Sequence, residues 1–190
     1  NNLNKLNLIS IDDIFLLKGT LFNADKFVEN LINDDDKLDI IQKNFKLNIK
    51  IDELILDDKN RLKNFEGLLT LENQKIISGR LIGSFSNDKK LKFTVDSRDN
   101  EKITTLFLDK AEAIVSRYKF IKGFDEGILD FYSSKKDNES VSTLKIYDFK
   151  LKELPTLTKL LTLASLQGIA DLLSGEGIRF DEFEMNFKNK

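Results

Sequence analysis

Carboxylates are the side chains whose number and grouping could suggest chemistry. Asp12-Asp13, Asp34 to Asp36, Asp57-Asp58, Asp125-Glu126 and Asp181-Glu182 each place acids side by side. Two carboxylates can share acid and base work, as in glycoside hydrolysis, when they face each other within about 10 Å in a cleft. Neighbouring residues of a strand point to opposite faces, so adjacency in sequence does not bring two acids together. Most of these pairs also lie between apolar runs, where aspartate bonds its own backbone in a turn. Histidine and cysteine are both absent. Imidazole bases, thiol nucleophiles, Ser-His-Asp triads and zinc sites built on these residues are therefore excluded. DDDKLD at 34–39 lacks the central glycine and the closing glutamate of a calcium loop. The glycines at 123 and 127, and at 175 and 177, are too closely spaced to cradle a phosphate and precede strands rather than helices. No catalytic residue, metal ligand or cofactor is expected. A carboxylate hydrolase remains possible in principle.

Composition bounds the remaining classes. The chain has 190 residues, which fits one domain or a segment of a larger one. One third of it is charged, yet the net charge is only −2 and no basic block exists. That argues against a nucleic-acid partner, which needs a basic surface to replace phosphate counterions. No run reaches the roughly 18 apolar residues of a membrane-spanning helix. Missing cysteine suits the cytosol or the bacterial periplasm and decides neither. The first residues lack the basic and apolar regions of a signal peptide. The chain starts in mid-pattern and ends in mid-strand at Phe187, so it is expected to be a fragment of something longer.

Period-two alternation is the dominant signal. Phe45, Leu47, Ile49 and Ile51 alternate with Lys46, Asn48, Lys50 and Asp52; Leu91, Phe93 and Val95 alternate with Lys92, Thr94 and Asp96. Strands of this kind recur about once per dozen residues, separated by Asp and Asn turns. After Asp52-Glu53 the apolar side moves to Leu54 and Leu56, which suggests a bulge there. Residues 133–140 are expected as a solvated loop. Helical spacing predicts short helices over about 23–33 and 109–119, with Asn23 as an N-cap. Pro155 opens a longer apolar helix over 155–174, with Gly175 as its C-cap. That helix could be a core helix, a helix lying along an apolar groove, or an interfacial membrane helix. The expected fold is mainly β (α+β). It is a single module over 1–190: a long, curved antiparallel meander forming a groove or open sheet, with two short helices and one longer apolar helix near the C-terminus.

Two stretches resemble a known family. In DKAEAIVSRYKFIKGFDEGILDF the residues Asp109, Ala111, Ala113, Ile114, Gly123, Gly127 and Leu129 are similar to a short helix, glycine turn and strand of AsmA-like bacterial envelope proteins, in the YhdP-type C-terminal region. Glu112 stands where that family often has glycine, and Phe124 to Glu126 lengthen the turn. The stronger match lies at 144–187. It is carried by Phe149, Pro155, Leu160, Ser165, Leu166, Gly168, Leu172, Leu173, Gly175, Gly177, Ile178 and Phe180. About 80 residues carry the resemblance well.

The resemblance implies a lipid-handling module, anchored at the inner membrane through other parts of a longer chain. Its β-groove would cross the periplasm and shield phospholipid acyl chains on their way to the outer membrane. Implied partners are phospholipid, adjoining segments of the same chain and envelope proteins. The alternation supports such a groove independently, since one face of each strand is apolar. Candidate lining positions are Phe45, Leu47, Ile49, Ile51, Phe65, Leu69, Leu71, Leu91, Phe93 and Val95. The alternative is a closed, dry sheet serving as a structural or assembly scaffold of the envelope.

Overall fold

A computed structural model describes residues 4–26, 44–73, 75–117, 123–153 and 177–189. The chain is mainly β. Its strands are β1 (Lys5–Ile11), β2 (Ile14–Asn23), β3 (Phe45–Ile55), β4 (Arg61–Glu72), β5 (Lys75–Ser84), β6 (Lys90–Arg98), β7 (Glu101–Leu108), β8 (Phe124–Lys136), β9 (Glu139–Leu151) and β10 (Ile178–Asn189). They form one sheet in sequence order, with β1 and β10 at its two edges. Among the described residues the edges do not pair, so the sheet is open.

The turns follow the sequence closely. Asp99 and Asn100 both hold positive φ, at 50° and 63°, and join Arg98 to Glu101 in register. Two such residues make the hairpin turn whose twist matches that of its strands, and Asp and Asn tolerate it best. Asp12, Asn73 and Asp137 occupy the same left-handed region at other strand ends.

Four expectations are corrected. First, the sheet is mixed rather than wholly antiparallel, because β2 and β3 run parallel, from Ile14 opposite Lys46 to Asn23 opposite Ile55. A parallel return needs a crossover of about a dozen residues or more, which the segment 24–44 supplies. Second, residues 133–140 are not a loop. Ser133 to Lys136 pair with Ser142 to Glu139, leaving only Asp137 and Asn138 to turn. Their polar side chains read as loop, but ladder bonds are made by backbone and need no apolar residue.

Third, the bulge expected at Asp52-Glu53 lies in the facing strand. β3 keeps one register with β4 throughout, while the β4–β5 ladder shifts between Lys63 and Glu66, where Asn64 has a φ of 51°. The apolar side still changes parity on both strands, since Ile51 and Leu54, like Leu62 and Phe65, belong to one core. Fourth, the helix expected at 109–119 is shorter among the described residues. α1 covers Glu112–Val115, followed by a turn through Arg117. Of the helix expected at 23–33, only Asp25 and Lys26 are described and helical. Asn23 accepts the Asp25 N–H at 3.0 Å, as an N-terminal cap would. The helix expected at 155–174, with its C-cap at Gly175, lies outside the described residues.

The core sits toward one end of the sheet. Leu62 and Leu108 are wholly buried, and Ala24, Leu56, Phe85, Ala111, Ala113, Val115, Phe124, Leu151 and Ile178 pack into the same cluster. Arg117 ties this end together. Its guanidinium meets Asp25 at 3.0 Å, approaches Asp57 at 3.8 Å and donates to the Leu56 carbonyl. Truncation should separate this end from the sheet edges. Leu108→Ala is expected to lower unfolding stability by about 2–5 kcal/mol. Leu8→Ala, at a site 57% exposed, should change it by no more than about 0.5 kcal/mol. Urea titration of the full chain measures both.

Candidate functional site

Cross-strand partners in a ladder project to the same face, so the register fixes which side chains share a surface. One line runs through all ten strands: Leu8, Leu17, Ile49, Gly67, Leu81, Phe93, Leu106, Phe131, Leu144 and Met185, each paired with the next. Every member is apolar or glycine. At about 4.8 Å per strand, its nine steps trace a contour of about 43 Å. A parallel line continues from Leu91 through Leu108, Leu129 and Ile146 to Phe183.

The ten positions expected from sequence all fall on this face. Phe45, Leu47, Ile49 and Ile51 pair with Leu71, Leu69, Gly67 and Phe65. Gly67 and Gly79 pass the face to Leu81 and Val95, and Phe93 and Leu91 complete it on β6. Ile49, Ile51, Leu69 and Val95 are buried; Phe45, Leu47, Phe65, Leu71, Leu91 and Phe93 are half-buried. Phe45 meets Phe15 edge-on at 5.2 Å. Sequence reasoning missed the continuation over β2 and β7 to β10. The signal was present in β9, but in β7 both parities are apolar, Leu106 and Leu108 on one and Ile103 and Phe107 on the other. Alternation alone does not choose between them.

Glycines crowd this face where β4 meets β5. A Cβ on Gly79 would stand 2.5 Å from Leu69 Cδ2 and 2.8 Å from the Leu68 carbonyl oxygen. A Cβ on Gly67 would collide with the Arg80 carbonyl oxygen. At both positions a side chain would run into the neighbouring strand, so only glycine fits there. Exposure rises toward β10, where Phe183, Met185 and Phe187 are 44%, 43% and 42% exposed.

The opposite face is polar. Lys18, Lys50, Glu66, Lys92, Asp130, Lys145 and Glu184 project from it along one line that also includes Ile82 and Phe107. Lys145 bridges Glu184 at 2.8 Å and Glu182 at 3.2 Å; these contacts raise its pKa and lower that of Glu184.

Among the described residues the grouped carboxylates close turns or pair with cations. Asp57 accepts the N–H groups of Lys59 and Asn60, both at 2.7 Å, and closes the β3–β4 turn. Asp125 pairs with Lys152 at 2.5 Å, and Glu126 with Arg179 at 2.7 Å and Lys150 at 2.9 Å. The run Asp34 to Asp36, and with it DDDKLD, lies outside the described residues. Among the described residues, no three acids gather where a metal ion could bind. No helix among them is long and apolar enough to cross a membrane.

Those ion pairs set a pH dependence. Lys152 holds the Asp125 carboxyl below its ordinary value of 3.8, and Lys150 with Arg179 holds Glu126 below 4.5. A depressed carboxylate stabilises fully above its unfolded pKa and loses that contribution as pH falls through the folded one. The urea midpoint should therefore fall as pH drops from about 6 to about 3, and Glu126→Gln should flatten the slope. A slope unchanged in Glu126→Gln would remove the pair from the account.

No family model, curated protein or solved structure matches the chain. The likeness to AsmA-like proteins therefore rests on the residues quoted for it, of which Pro155 to Gly175 lie outside the described residues.

Proposed function

We propose that this chain is a lipid-handling module, which holds acyl chains against the apolar face of its sheet and performs no catalysis. The observation that carries the reading is the line from Leu8 to Met185, ten strands without a polar residue. A closed core needs no such continuity out to exposed edge residues. An acyl chain does, because each methylene left in water forgoes about 0.8 kcal/mol. With the AsmA-like resemblance, the setting is the bacterial periplasm. There the module would be part of an inner-membrane-anchored protein, passing phospholipid toward the outer membrane, with adjoining segments of the same chain and envelope proteins as neighbours.

A second reading is favoured by the burial of Ile49, Ile51, Leu69 and Val95. A scaffold with a dry sheet would bury the same residues and carry no lipid. Extraction of the purified full chain with organic solvent, followed by mass spectrometry, separates the two. The lipid reading expects co-purifying phospholipid, and Leu47→Gln with Phe93→Gln, at half-buried sites, should reduce it at least about tenfold while the protein stays folded by circular dichroism. Lipid-free protein that also fails to take up a fluorescent phospholipid would leave the scaffold standing.

A further inference from the structure

The apolar face changes character along β7, β8 and β9, and the order of change is informative. Lys102 and Lys135 sit directly opposite each other in the ladder, and both have the parity of the apolar face. One step further along the strands, Thr104 faces Ser133, and Ser133 faces Ser142. Ser142 is buried and donates to the Ser133 hydroxyl at 2.8 Å. The next step is Leu106 and Phe131, and the one after is Leu108 and Leu129. Lys102 and Leu108 stand six residue steps apart along the strand, a distance of about 20 Å.

Cations, then hydroxyls, then hydrocarbon is the polarity of an anionic amphiphile laid along the strands. Two like charges set opposite each other weaken a sheet, so the pair has no value to the isolated fold. Neither lysine forms an ion pair with any described residue. Burial, followed by the charges of Lys135 and Lys75, lowers the pKa of Lys102, as expected of a cation short of an anion.

We propose that β7 to β9 form a site for an anionic amphiphile, with its headgroup on Lys102 and Lys135, its polar linkage beside Thr104 and Ser133, and its acyl chain across the half-buried Leu106, Phe131 and Leu144, because Leu108 and Leu129 are covered by the protein itself. This deepens the lipid-handling reading and rests on it. The site selects for headgroup charge, whereas the rest of the face selects only for hydrocarbon.

The test uses the full chain and fluorescent lipid presented in vesicles of phosphatidylglycerol or of phosphatidylcholine. Wild type is expected to take up the anionic lipid more tightly. Lys102→Gln and Lys135→Gln should each weaken that uptake about tenfold, leave phosphatidylcholine unchanged, and be rescued by arginine at the same position. Removing one of two facing like charges should leave the thermal midpoint of the lipid-free protein the same or higher, so a loss of uptake is not a loss of folding. Equal uptake of the two lipids by wild type, or an equal loss for both in the variants, would overturn the headgroup assignment and keep the lipid reading. Uptake of neither lipid would overturn both. If inorganic phosphate at millimolar concentration alone abolished uptake of phosphatidylglycerol, the lysines would form a free-anion site and the amphiphile assignment would fall.

Discussion

Each pair from Leu8–Leu17 to Leu144–Met185 joins residues of the same polarity, and the sheet depends on that register being kept. A slip of one residue in any ladder would send a strand's apolar set to the charged side and bring lysines or glutamates inward. The penalty grows with every strand that has already committed its face. Ten strands in sequence order therefore hold one another in phase. Hairpin turns with left-handed Asp and Asn help by fixing the register at each reversal.

The phase is broken on purpose toward one end. Ile51 and Leu54, Leu62 and Phe65, and Ile146 and Phe149 are all three residues apart, yet members of each pair lie in or pack against one core. A regular strand does not place residues three apart on one face. Positive φ at Asn64 and Asp148 supplies a local change of direction on β4 and β9. Beyond this boundary the sheet gains a capped end. Phe149 stacks between Phe124 and Phe180, with ring centres 5.3 Å and 5.2 Å apart, and α1 packs Ala113 and Val115 on the cluster. The ion pairs of Asp125, Glu126 and Arg117 gather at this same end.

At the other end the face finishes in Lys102, Lys135 and the Asp and Asn turns. The sheet is thus polarised lengthwise as well as between its faces. One end is filled with protein side chains, and the other meets water through charge. The edges β1 and β10 face a different demand. Among the described residues they leave one side of the ladder unpaired beside exposed Leu6, Leu8, Phe183 and Met185, the arrangement that most readily accepts another strand.

Much of this architecture was legible in the sequence. Period-two runs locate strands because the side-chain period of a strand is local, and Asp and Asn between them locate turns because positive φ is a property of single residues. The ten positions from Phe45 to Val95 share a face, since each hairpin passes side-chain parity from strand to strand. Tertiary structure decided what depends on a distant partner. The parallel pairing of β2 with β3 turns on where a long crossover returns. The bulge belonged to Asn64 rather than to Asp52, because a phase slip seen in one strand can be absorbed by its neighbour. β7 is apolar on both parities, so only its pairing with β6 and β8 placed Lys102 on the apolar face and Ile103 and Phe107 on the charged one. Sequence by itself determined that strands with one dry face would form; which faces met was settled by pairing, because a ladder bond records no polarity and the choice is made by all ten strands together.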